Sequence, residues 1–392
     1  MIRRNLQKVL AERAKVAPVV TVTGPRQAGK TTLCRATFAG HAYVSLEPID
    51  VRDAVRDDPR GFLDEYRSGA VIDEVQHVPE LLTYLQGDVD EDPTPGRFIV
   101  TGSQHFGLLQ TVSQSLAGRT TVVHLLPLSL DEVHRFADPP ADLWTTLWTG
   151  GYPRIHDKKL DPARWLADYV TTYVQRDVRQ VLNIGDLVAF TQFVRLCAGR
   201  TATMINLSSL GSDAGVSHNT ARSWLSVLET GFLCFRAAAW RTNLRKQEIK
   251  SPKLHFFDPG LVCSLLGIRT PDQLRLHPLR GQIFESWVAS EIYKARAHRG
   301  VEPRLYHYRD AKGLEIDVVA DVDGTTVAVE AKSGATVPVE ALRPLERFMS
   351  DAPDVRRLLI AGAEEGRRHG STRIVGWRKI QDIAWTTVPQ VP

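Results

Sequence analysis

The stretch Gly24-Pro25-Arg26-Gln27-Ala28-Gly29-Lys30-Thr31 constrains this chain more than any other. It fits G-x-x-x-x-G-K-[ST] at every fixed position, follows the β-branched run Val19 to Thr23 and opens a helical run. Glycines so placed let main-chain N–H groups converge at a helix N-terminus, where unpaired donors favour an anion. The spacing predicts a phosphate cradle of Gly24, Pro25, Arg26, Gln27, Ala28, Gly29, Lys30, Thr31 and Thr32. Lys30 would reach the β- and γ-phosphates and the Thr31 hydroxyl would ligate Mg²⁺. ATP and Mg²⁺ are therefore the expected cofactors. The alternative, a glycine-rich turn that merely contains Lys and Thr, sits poorly with the agreement of strand, spacing and helix.

Val71-Ile72-Asp73-Glu74 supplies the acids that such a site lacks. An apolar strand that ends in an acid would place Asp73 beside the metal, and Glu74 would orient and polarise the attacking water. Phe98-Ile99-Val100-Thr101-Gly102-Ser103-Gln104 reads as a further strand ending in small polar residues. Ser103 is the first candidate there for the γ-phosphate or the water, ahead of Thr101 and Gln104, with a helix cap as the alternative. Arg119 is a candidate arginine finger, set against an ordinary surface salt bridge; Arg154 and Arg176 are weaker candidates.

Short apolar runs at Val19–Val22, Tyr43–Leu46, Ala70–Ile72, Phe98–Val100 and Thr121–Val123 alternate with helical patterns, which predicts a parallel sheet covered on both faces. The 392 residues allow two or three domains without disulfide or metal staples. We expect a phosphate-loop α/β domain over 1–135, a helical region over 136–204, a winged helix-turn-helix-like unit over 205–252 and a C-terminal α/β domain over 253–392. The composition, 43% hydrophobic and 24% charged, excludes fibrous and disordered classes. A formal charge of +4 neither demands nor excludes a nucleic-acid partner. Cys34, Cys197, Cys234 and Cys263 form no CxxC pair, which argues for reduced thiols. No apolar leader and no membrane-length apolar run is read, so the expected location is cytoplasmic, with no membrane partner.

From Gly24 through Asp73-Glu74, Thr101-Gly102-Ser103 and Leu116-Ala117-Gly118-Arg119 to Leu126-Pro127-Leu128-Ser129, the chain resembles the AAA+-type ATPases of a widespread prokaryotic group. Members couple an ATPase module to a C-terminal domain of unknown function. Gly150-Gly151-Tyr152-Pro153, Arg176-Asp177 and Lys253-Leu254-His255-Phe256-Phe257-Asp258-Pro259-Gly260-Leu261 also match its segments. The resemblance implies a sheet of strand order 5-1-4-3-2. It also implies a nucleotide site completed by a neighbouring subunit, hence a homo-oligomer.

Leu207–Gly211 followed by Val216–Leu225 has the cadence of a helix, a glycine turn and a second helix. Ala221, Trp224, Leu225 and Leu228 would form its buried stripe, leaving His218, Asn219, Arg222 and Ser223 outward, where base edges or phosphates are met. Phe232 to Trp240 would supply wing strands. Arg241, Arg245, Lys246, Lys250 and Lys253 against Glu248 read as a basic footprint for a nucleic-acid backbone. A packing module with a solvated basic face is the alternative.

Glu315–Val319 and Val327–Lys332 read as paired strands joined at Asp323-Gly324. Charges inside apolar strands are costly unless paired or metal-bound. Asp317 and Glu330 would hold Mg²⁺ with Glu285 completing the set, while Lys332 positions water. D-x₁₂-E-x-K resembles the restriction-endonuclease-like nuclease superfamily, with Ile316 where proline is frequent. An edge hairpin with a Glu–Lys pair, or a nuclease-shaped but inactive domain, remain alternatives. The combined expectation is an Mg²⁺-dependent ATPase acting on DNA, with nuclease activity in the C-terminal domain. Its rival is an ATP-gated switch whose nuclease-like domain is an inactive interaction module.

Overall fold

The structure, a computed structural model, describes residues 2–102, 115–172, 186–240, 251–350 and 354–387. It divides into two compact units. Unit 1 comprises Met1–Pro127 with Thr230–Phe232 and Ala297–Gly300; unit 2 comprises Leu128–Glu229, Leu233–Arg296 and Val301–Pro392.

Among the described residues, unit 1 carries five strands, β1 (Val19–Thr23), β2 (Ala42–Ser45), β3 (Ala70–Asp73), β4 (Phe98–Thr101) and β5 (Thr120–His124). All its pairings are parallel, and the order read from one edge is β5-β1-β4-β3-β2, the order the resemblance implies. Side-chain alternation sends Val19, Ile72, Phe98 and Val100 into one core and Val20, Val22, Val71 and Ile99 into another. The second core is closed by α1 (Leu6–Arg13) and α2 (Lys30–Thr37), through Leu6, Leu10, Leu33 and Cys34. The first is closed by α3 (Ile49–Asp57), α4 (Pro59–Glu65) and α5 (Leu81–Glu91), through Val55, Leu63, Leu82 and Leu85. Burial on both faces is why the central strands are unbroken apolar runs.

Among the described residues, unit 2 holds a nine-stranded sheet of order β13-β14-β12-β11-β10-β9-β7-β8-β6. The strands are β6 (Thr203–Met204), β7 (Cys234–Ala239), β8 (Lys253–Phe256), β9 (Leu305–Arg309), β10 (Glu315–Val322), β11 (Thr325–Lys332), β12 (Val355–Ala361), β13 (Arg367–His369) and β14 (Thr372–Gly376). Strands β10 and β11 are antiparallel about Asp323 and Gly324, with φ of 52° and 86°. Positive φ at both central residues is the geometry that Asp-Gly favours in a two-residue hairpin. One sheet thus joins strands from either side of residue 252.

The helix pair is α6 (Leu207–Asp213) and α7 (His218–Thr230). Asn206 caps α6, and Ser217 Oγ accepts from Thr220 N at 3.1 Å. Ala221, Trp224, Leu225 and Leu228 are buried, whereas Asn219, Arg222 and Ser223 are exposed and His218 is half-buried. The turn glycine is Gly215, at φ +70°; Gly211 lies inside α6 at a close approach, where a Cβ would meet Val216 O at 2.9 Å. Helix α8 (Pro259–Leu265) starts on an Asp258 cap with proline in its first turn, and α9 (Arg280–Ala297) is largely buried. Residues 241–250, which carry most of the basic footprint, lie outside the described residues, as does Arg176.

Candidate functional site

The loop between β1 and α2 takes a conformation that its glycines permit. Gly24 has φ +146°, and a Cβ there would lie 2.1 Å from Leu125 O. Gly29, at φ +92°, is the left-handed N-cap of α2. Lys30 is 6% exposed, and its ammonium donates to Gly24 O and Pro25 O at 3.0 Å each. Burial lowers its pKa, outweighing Glu74 and Asp73, which favour the charge. Pro25 and Ala28 are buried, Arg26 is half-buried, and Gln27 and Thr32 are exposed. Arg4, itself buried, donates to Ala28 O and to Leu126 O at 2.8 Å each, tying the loop to the chain that follows β5.

Asp73 ends β3 with both oxygens engaged. Oδ2 accepts from Thr31 Oγ1 at 2.8 Å and from the Tyr43 hydroxyl at 2.9 Å, and Oδ1 accepts from Thr101 Oγ1. The Tyr43 phenol is pushed up to about 12, by burial first and then by its bond to Asp73, so it stays a donor. Glu74 adopts φ +58°, in the left-handed region uncommon for non-glycine residues. Its carboxylate accepts from Gln76 Nε2. Burial works to raise its pKa, but Lys30, Gln76, Arg26 and His77 outweigh burial and hold Glu74 below its ordinary value. An ionised carboxylate beside a phosphate cradle is equipped to accept a proton from water.

These residues fit ATP and Mg²⁺. The buried Lys30 cation rests on loop carbonyls that a phosphate oxygen would replace, and the Thr31 hydroxyl already meets Asp73. Thr31 and Asp73 would hold the ion, which supplies charge to the β- and γ-phosphate oxygens. Arg119 makes a two-pronged pair with Asp90, at 2.5 and 2.8 Å, and also donates to Ala117 O. In the single chain it takes the salt-bridge alternative. Ser103 and Gln104 lie outside the described residues.

The C-terminal residues do come together, around a lysine assigned to another task. Lys253 on β8 is 2% exposed, and its Nζ lies 2.7 Å from Glu285, 2.8 Å from Glu315 and 3.6 Å from Asp317. Asp317 Oδ2 accepts from Ala331 N at 2.9 Å; Lys332 Nζ lies 2.9 Å from Glu330 and 4.0 Å from Asp317. Burial first, then Asp317, raises both acids against their lysines: Glu285 well above its ordinary value and Glu330 up to about 8. Among the described residues, no group of three His, Cys, Asp or Glu could hold a metal ion. The metal role expected for Asp317, Glu330 and Glu285, with Lys332 beside them, meets a cation that the sequence reading did not include: the Lys253 ammonium lies against Glu285, Glu315 and Asp317. Lys253 drops out of the surface footprint.

Residues 16–134 match a family model described as AAA domain, residues 140–272 one described as domain of unknown function DUF8612, and residues 280–380 one described as domain of unknown function DUF4143. Uncharacterized protein Rv2008c of Mycobacterium tuberculosis is 30% identical over 338 residues, 85% of this chain and 74% of its own. Uncharacterized protein Mb2031c of Mycobacterium bovis gives the same figures. The chain belongs to their family. It is an AAA-type P-loop ATPase. Among solved structures, the Walker-type ATPase PaBY2304 of Pyrococcus abyssi is similar at 15% identity and TM-score 0.45, over 68% of this chain and 96% of its own.

Sequence reasoning missed three residues of this ATPase. Arg4 ties the phosphate loop to the chain after β5 and Tyr43 reaches the acid from the adjacent strand, and nothing local marks either. Lys253 did carry a signal, since it is a charge inside the apolar run Lys253-Leu254-His255-Phe256, the same anomaly that flagged Asp317.

Proposed function

We propose that the ATPase turns over Mg²⁺-ATP at the Lys30 loop, with Glu74 as the base for the attacking water, and that it acts on DNA. The observation that carries the DNA part is the division of α7. Its apolar side is buried as a packed second helix, while Asn219, Arg222 and Ser223 face solvent. A helix so placed presents hydrogen-bonding and cationic groups to a groove. We further propose a homo-oligomer, in which a neighbouring copy contributes the phosphate-facing cation. Arg119, engaged by Asp90 within its own chain, would have to exchange that partner to serve.

The test is ATP turnover with and without duplex DNA. Turnover should rise with DNA, and Lys30→Ala should abolish it. Arg222→Ala should weaken DNA binding and flatten its salt dependence, since fewer phosphates are neutralised. DNA binding that is absent or indifferent to salt would remove the DNA clause and leave the ATPase. A second reading, an ATP-gated switch whose C-terminal domain cuts nothing, is favoured by one observation: the buried Lys253 among the acids.

A further inference from the structure

We propose that Lys253 is a built-in cation that takes the place of a divalent ion in the C-terminal carboxylate cluster and keeps that site from loading metal. The inference concerns the metal content of unit 2 and stands whichever partner the ATPase serves.

The acids come from three elements: Glu285 from α9, Glu315 and Asp317 from β10, and Glu330 from β11. Lys253 enters from a fourth, β8, a strand buried along its length. An ammonium has three donors and no acceptor. Those of Lys253 face Glu285, Glu315 and Asp317, and the other Glu315 oxygen lies 3.5 Å from Arg309. Lys332 covers Glu330, and the Ala331 amide satisfies Asp317.

Three cationic side chains, Lys253, Lys332 and Arg309, thus face the four carboxyl groups Glu285, Glu315, Asp317 and Glu330. Mg²⁺ wants near-octahedral oxygen ligands at about 2.0–2.1 Å. Here it would have to expel a buried ammonium or sit beside it. Removing that ammonium while keeping the acids leaves buried carboxylates without a counter-charge, a state relieved by taking up a cation.

The experiment measures Mn²⁺ uptake by calorimetry and by the spin-resonance signal of free Mn²⁺. It uses the nucleotide-free full chain carrying Asp73→Ala to silence the first site. That protein should take up no Mn²⁺ through Asp317. Adding Lys253→Met should create one site, at least about tenfold tighter than anything in the parent, because a like charge beside the ion is gone. Adding Asp317→Asn as well should abolish it, and Lys253→Arg should stay closed. Uptake by the parent that disappears with Asp317→Asn overturns the proposal. So does a folded Lys253→Met protein that takes up none. Should Lys253→Met not fold, the parent against Asp73→Ala/Asp317→Asn decides alone.

Discussion

Asp73 carries three hydroxyl groups at once, from Thr31, Tyr43 and Thr101. Tyr43→Phe keeps the ring beneath Arg35, whose guanidinium lies 4.6 Å from its centroid, and removes only the phenol. A hydrogen bond to a carboxylate contributes about 1.5–3 kcal/mol, so the Mg²⁺ concentration for half-maximal turnover should rise about ten- to 100-fold. Magnesium titration of the ATPase checks this. Glu74→Gln keeps the shape and loses the base; turnover should fall about 10²- to 10⁴-fold while ATP binding persists. Steady-state rates beside nucleotide calorimetry separate the two effects. At the other cluster, Glu330 is held up to about 8 by burial and Asp317, against Lys332 and Lys253. The folded state keeps a proton that the unfolded chain releases above the ordinary value of 4.5. Its stabilising contribution is whole below that value, declines as pH rises and is gone above about 8. Thermal midpoints should therefore fall across that window, and Glu330→Gln should flatten the fall.

The β1–α2 turn and the α6–α7 pair are the elements whose sequences say most about their structure. Gly24→Ala places a Cβ against Leu125 O and forces a conformation that L residues avoid. A cost of at least about 1–3 kcal/mol is expected, with weaker nucleotide binding, read by thermal denaturation and calorimetry. Trp224 packs edge-on against Phe190 and Phe193, with ring centroids at 5.2 and 5.4 Å. Trp224→Ala should destabilise unit 2 by about 3–5 kcal/mol, whereas Arg222→Ala should leave its melting unchanged. Pattern made these elements legible: short unbroken apolar runs in β1, β3 and β4, and three-to-four spacing in α7. The Asp323-Gly324 hairpin was legible from its turn residues alone. What stayed hidden was partnership at long sequence separation. Lys253 sits next to a basic run and reads as part of it, until β8 pairs with β7 and β6 and turns it inward. Arg4 and Tyr43 are silent for the same reason, since a hydrogen bond between segments far apart in sequence leaves no local pattern.

At the scale of the molecule, unit 1 is not one continuous piece of chain. Phe232 packs at a tilt against His124, with centroids at 5.1 Å, and His298 Nε2 accepts from Leu126 N at 3.3 Å. A fragment ending at residue 134 should therefore melt below the full chain and bind ATP more weakly, which calorimetry of both would show. No helix of the described residues is long and apolar enough to cross a membrane. The nine-stranded sheet has unequal joints. Strands β11 and β12 share seven register pairs, from Thr326↔Val355 to Lys332↔Ala361. Strands β7 and β9 meet, among the described residues, at Ala238↔Tyr306 and Ala239↔His307. Under a pulling force that two-pair joint should give way before the seven-pair ladder, so the strand following the helix pair would shear free while the longer ladder still holds.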